Sequence, residues 1–123
     1  MRTTDILENG PSIISGDTRG FIKFTNLAEK PRAVWSKQVN GLIQRARFVD
    51  REGDSVTLTS DGELDFWGPQ GDMLLKLNPK DTSLVEVSPD FHWLATAGDT
   101  GAITLRSLEN FHSSRKLSYP KVL

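Results

Sequence analysis

A chain of 123 residues has room for one domain with a modest core and is too short for two ordinary ones. Fifteen Lys and Arg against sixteen Asp and Glu give a formal charge of −1, so no whole-chain basic field draws in a polyanion, and neither nucleic acid nor an anionic membrane is an expected partner. The absence of cysteine excludes a disulfide framework, a thiolate metal site and a cysteine nucleophile. No apolar run reaches signal-peptide or membrane-spanning length, and the expectation is a soluble cytoplasmic protein.

In chain order, a first predicted strand at residues 4–7 is closed by the turn Glu8-Asn-Gly-Pro11. Residues 13–25 then read as an antiparallel hairpin around Asp17-Thr-Arg-Gly20, whose second strand alternates Ile22 and Phe24 with Lys23. A further strand is expected at residues 33–37. The same order returns twice. Residues 45–49 lead through the turn 50–54 to the hairpin 56–67, in which Leu64 and Phe66 alternate with Asp65, and then to residues 73–77. Residues 84–87 and Ser88-Pro-Asp90 lead to the hairpin 94–106, with Ile103 and Leu105 against Thr104, and finally to residues 115–119. Ile22, Leu64 and Ile103 are 42 and 39 residues apart, a period of about 40.

A β-sandwich or barrel also shows short strands with frequent turns, but gives no reason for one hairpin to return at two nearly equal intervals. The fold class read from the repeat is therefore all-β, with three four-stranded antiparallel propeller blades at about residues 2–38, 42–78 and 82–120. Propellers typically close with four to eight blades, so three form an open partial ring. Both end faces should expose Ile, Leu, Val and Phe, a patch that calls for cover. The expected cover is a second copy joined head to tail into a six-bladed dimer, or another propeller chain.

The order of apolar strand, Gly/Asp turn, Gly-x-Ile-x-Ile/Phe and Trp resembles the WD repeat. Asp61-Gly-Glu-Leu-Asp-Phe-Trp67 is the closest match, and Ser88-Pro-Asp90 looks like the family's turn between its first two strands. Thr25 and Arg106 stand where the other copies would carry the tryptophan; Arg19 and Thr100 stand where the turn aspartate would align; Asn40-Gly41 sits near the Gly-His position without the histidine. The buried His, Ser/Thr, Asp and Trp network of the family is thus incomplete in all three copies.

Candidate chemistry is sparse. His92 and His112 read as isolated loop histidines and not as metal ligands; no cofactor and no metal are expected. The run Asp61, Glu63, Asp65 lacks the further ligands of a calcium loop, and alternation sends Glu63 and Asp65 to solvent. Trp67 and Trp93 lie in strands where core packing is expected. Trp35, beside Arg32 and Lys37 in an outer strand, reads instead as an exposed anchor for a partner.

The resemblance implies a non-catalytic protein-interaction scaffold, with contacts carried by loops on a rigid frame. Its expected partner-binding residues are Arg19, Asp61 and Thr100 in the hairpin turns, Asn40 and Asp81 in the links between blades, and Trp35. A carbohydrate-binding propeller is the alternative; the turns differ in length and charge, which argues against equivalent sugar sites.

Overall fold

The computed structural model describes residues 2–7, 12–27, 32–79, 82–117 and 121–122. Period-two alternation makes strands of the apolar segments, and consecutive strands pair antiparallel into meanders. The first sheet orders β1 (Arg2–Leu7), β2 (Ser12–Asp17), β3 (Phe21–Asn26) and β4 (Arg32–Gln38). The second orders β5 (Ile43–Phe48), β6 (Ser55–Thr59), β7 (Leu64–Trp67) and β8 (Met73–Leu77). The third orders β9 (Leu84–Val87), β10 (Trp93–Ala97), β11 (Ile103–Ser107) and β12 (Lys121–Val122). The repeat extends to irregularities, since the pairing register shifts between Phe24 and Thr25 in one sheet and between Phe66 and Trp67 in the next.

One predicted strand is misplaced. Residues 115–117 belong to no strand, and residues 118 and 119 of the expected strand lie outside the described residues; a single helical turn, α1 (Phe111–Ser114), precedes them, and β12 pairs Val122 with Thr104 and Lys121 with Leu105. The apolar Phe111, 1% exposed, draws the chain into the core and delays its return to the sheet.

Every sheet has one strongly apolar face and one mixed face. Ile14, Ile22 and Phe24 of the first sheet pack with Ala46, Phe48 and Trp67 on the mixed face of the second. Val56, Leu58, Leu64 and Phe66, on the second sheet's apolar face, pack with Val85 and Leu94 of the third and with Leu108 and Phe111. Fully burying each such side chain contributes about 1.5–3 kcal/mol, so two stacked sheet interfaces hold the chain together.

The stack stops there. On the third sheet's apolar face Leu84, Trp93 and Ile103 remain 44%, 49% and 42% exposed. Trp93 is thus not the core residue its strand position predicts, because no following blade covers it. The mixed face of the first sheet is also open, but is less apolar than expected: Ile6 and Phe21 stand exposed beside exposed Thr4 and Lys23.

Polar groups brace the inner strands. The N–H groups of Ala46 and Phe48, on the edge of β5, donate to Thr3 Oγ1 at 3.3 Å and Asp5 Oδ2 at 2.8 Å. Arg47 donates to the Thr4 carbonyl on one side and to Glu86 on the other, so one guanidinium ties three blades. Glu86 also pairs with Arg45 at 2.9 Å.

Gly20 shows how tightly the turns abut. Its φ is +84°, and an added Cβ would strike the carbonyl oxygens of Val39 and Gly41. Strained backbone and a backbone clash together predict that Gly20→Ala costs about 2–4 kcal/mol. A thermal melt checks this: an unchanged midpoint would show that the turn and the link do not pack as described.

Candidate interaction surface

Among the described residues the hairpin turns and interblade links lie along one rim, built by local polar capping. Asp17 Oδ1 accepts the N–H groups of Arg19 and Phe21 at 2.9 and 3.1 Å, closing the β2–β3 turn. Although partial desolvation opposes it, these backbone N–H groups and the Arg19 guanidinium hold Asp17 below the usual carboxylate range. Arg19 also lies over the Phe21 ring, 5.2 Å from its centroid. The Gly20 carbonyl accepts Val39 N–H at 2.9 Å, and Ser60 N–H donates to the Leu42 carbonyl at 2.9 Å. Turn, link and next turn are thereby joined.

Arg19, Asn40, Asp61 and Thr100 are all exposed on this rim. Gln38 donates to the Arg19 carbonyl at 3.3 Å, so the first turn is held against the link that carries Asn40. Asp61 lines an open groove of about 560 Å³ with Gln44, Asn78, Thr82 and Asp99, between the second and third sheets. Asp81 lies outside the described residues. The rim is polar and solvated.

Trp35 does not belong to it. The side chain is 7% exposed, stacked on Phe24 with centroids 5.9 Å apart and planes at 11°, and tilted against Trp67 at 5.7 Å. The expected exposed anchor is therefore a core residue, since the neighbouring blade supplies Trp67 to cover it. Its Nε1 is buried without an acceptor.

Asp65 is likewise not a solvated charge. It is 2% exposed on the face covered by the first sheet, and burial, with the adjacent Glu63, pushes its carboxyl up to about 7. Glu63 is paired with Lys76 at 2.7 Å. In the same strand pair Trp67 Nε1 donates to Thr57 Oγ1 at 3.0 Å, so the middle blade retains the Trp–Thr part of the network that the sequence leaves incomplete.

A second polar cluster was hidden from sequence reasoning. His112 Nδ1 lies 2.8 Å from Asp54 Oδ2, and Arg115 Nη1 lies 2.9 Å from the same oxygen of this fully buried carboxylate. Asp50 Oδ2 is 3.8 Å from the same ring nitrogen. Burial and then the Asp54 carboxylate push Asp50 up to about 7, while the hydrogen bond to Asp54 raises His112. His112 is thus no isolated loop residue, but part of a latch between the β5–β6 turn and the segment after β11. Asp50, Glu52 and His112 could offer atoms within 4.8 Å of one another to a cation. The cluster already holds a positive charge, however, in Arg115, 2.9 Å from Asp54 Oδ2.

Comparisons with known proteins are confined to structure. No family model matches the chain, and no curated protein matches its sequence. The C-terminal WD40 domain of Sif2 superposes with a TM-score of 0.68 at 15% identity, over 98% of this chain and 36% of that one. Hsv2 of Kluyvelomyces marxianus gives 0.65 at 18% identity, over 86% and 34%. The fold is that of a partial WD40-type propeller. The chain spans about a third of the length of these solved structures.

Proposed function

We propose that this chain is a non-catalytic propeller sector that binds protein partners through its turn rim and covers its open faces with a second copy of itself. The uncovered apolar face of the third sheet carries the reading. Ile103 stands exposed where its equivalent in the second sheet, Leu64, is fully buried, and Leu84 and Trp93 stand exposed beside it on the same face.

Both internal interfaces place an apolar face on the mixed face of the next blade. The chain's own first blade offers such a mixed face, with Thr4, Ile6, Ser15, Phe21, Lys23 and Thr25. A head-to-tail pair would satisfy both ends and close by two-fold symmetry. The likeness to WD40 propellers supports an interaction scaffold in general.

The test is Ile103→Glu. Ile103 is already half exposed in the single chain, so the variant should keep its fold while a charge in the face abolishes association. Association that persists in a folded Ile103→Glu variant would remove this face from the interface.

A further inference from the structure

Between the third sheet and the link that precedes it lies a small cavity of about 120 Å³, lined by Pro79, Thr82, Thr96, Thr100, Thr104 and Arg106, with Ala97 and Ala102. Among the described residues no carboxylate lines it. Asp99, the nearest acid in the β10–β11 turn, lines the neighbouring groove instead.

The repeat explains how the cavity arises. Thr57 faces Asp65 across the second sheet, and Thr96 faces Thr104 across the third, so these pairs are equivalent. Trp67 and Arg106 follow two residues later in their strands. In the second blade an indole occupies this place and donates to Thr57, beside a buried acid. In the third blade the indole is replaced by a guanidinium and the acid by a threonine hydroxyl.

Among the described residues a cation without an acid remains. Arg106 Nη1 is buried with no hydrogen-bond acceptor, and desolvation pulls this guanidinium below its usual range. Thr96, 5% exposed, adds a buried hydroxyl. A guanidinium stays protonated in proteins and carries a fork of N–H donors matched to carboxylate and phosphate oxygens. Leaving one of its donors buried and unmatched is costly, and a bound anion offsets that cost.

We infer that this cavity is a binding site for a single small oxyanion, held by Arg106 with the hydroxyls of Thr96 and Thr104 in support. Phosphate and carboxylate groups share this chemistry, and the size of the cavity restricts the ligand to one such group.

The test is an amide NMR titration of the whole chain with inorganic phosphate, and separately with acetate, at fixed pH and ionic strength. Saturable shifts centred on residues 96–106 are expected with phosphate, with acetate, or with both; which of them binds reads out the preferred anion. Arg106→Gln should weaken binding at least about tenfold, and Arg106→Lys should retain part of it. Because Arg106→Gln removes an unpaired buried charge, its anion-free melting midpoint should equal or exceed that of the wild type. Non-saturating shifts with both anions, or saturable shifts that survive unchanged in Arg106→Gln, would overturn the assignment. The wild-type titration stands even if the Gln variant folds poorly.

Discussion

Trp35→Ala is expected to destabilise the chain by about 3–5 kcal/mol, the range for removing a large aromatic from a packed core. The indole stacks on Phe24 and leans on Trp67, and Gly71 approaches it so closely that an added Cβ would lie 2.9 Å from Trp35 Cγ. Cavity formation, lost stacking and loosened contact between the first two sheets all act in one direction. Trp35→Phe is the informative companion. It keeps most of the stack and deletes the buried Nε1 that has no acceptor, so its cost should stay below about 1.5 kcal/mol. Urea denaturation of both variants separates this account from an exposed anchor, which predicts loss of partner binding at wild-type stability.

Asp54→Ala is expected to cost about 2–4 kcal/mol, because it strands Arg115 and His112, the two partners of a fully buried carboxylate. His112 and Arg115 are 42% and 38% exposed at their side chains, so water recovers part of the loss and holds the figure below that of a fully enclosed pair. This cluster, together with the buried Asp65, makes stability depend on pH. Burial and the neighbouring acid raise Asp50 and Asp65 to about 7 in the folded chain. A carboxyl raised by folding binds its proton more tightly in the folded state. Its contribution is therefore complete below about pH 4 and is lost as pH climbs through 7.

His112 acts with the same sign. Its raised folded value gives a contribution present below about pH 6.5 and lost as pH rises through that higher value. Asp17, Glu63 and Asp90 are held low, and their contributions fade only in more acidic solution. The urea midpoint should accordingly fall between pH 5 and pH 8, and Asp54→Ala should flatten much of that slope by removing the shared partner of Asp50 and His112. A midpoint that rises over this interval would contradict the electrostatic description.

The repeated hairpins were legible because they are local: turn residues and period-two alternation within a dozen positions suffice to specify them. Features that depend on the neighbouring blade were not. Trp35 and Asp65 sit at positions that alternation alone assigns to an outer strand and to solvent, yet each is covered by the adjacent sheet. The reverse holds for Trp93, whose strand looks like core but whose neighbour is absent. The latch joins Asp54 to His112 across 58 positions, and no spacing rule links a turn acid to a histidine in another repeat. The helical turn at Phe111 displaced the last strand for a comparable reason, since one buried aromatic outweighed weak strand propensity in residues 115–117. On the rim, the turn residues Arg19, Asp61 and Thr100 were legible as exposed, because Gly and Asp turns reach solvent in any hairpin.

Solution mass by light scattering on a sizing column, across a dilution series, tests the central claim most directly. The open sector predicts a species of twice the 13.7 kDa chain mass that dissociates on dilution, and a single-chain mass for Ile103→Glu. A folded wild-type chain that holds the single-chain mass at every concentration would contradict completion of the ring by a second copy.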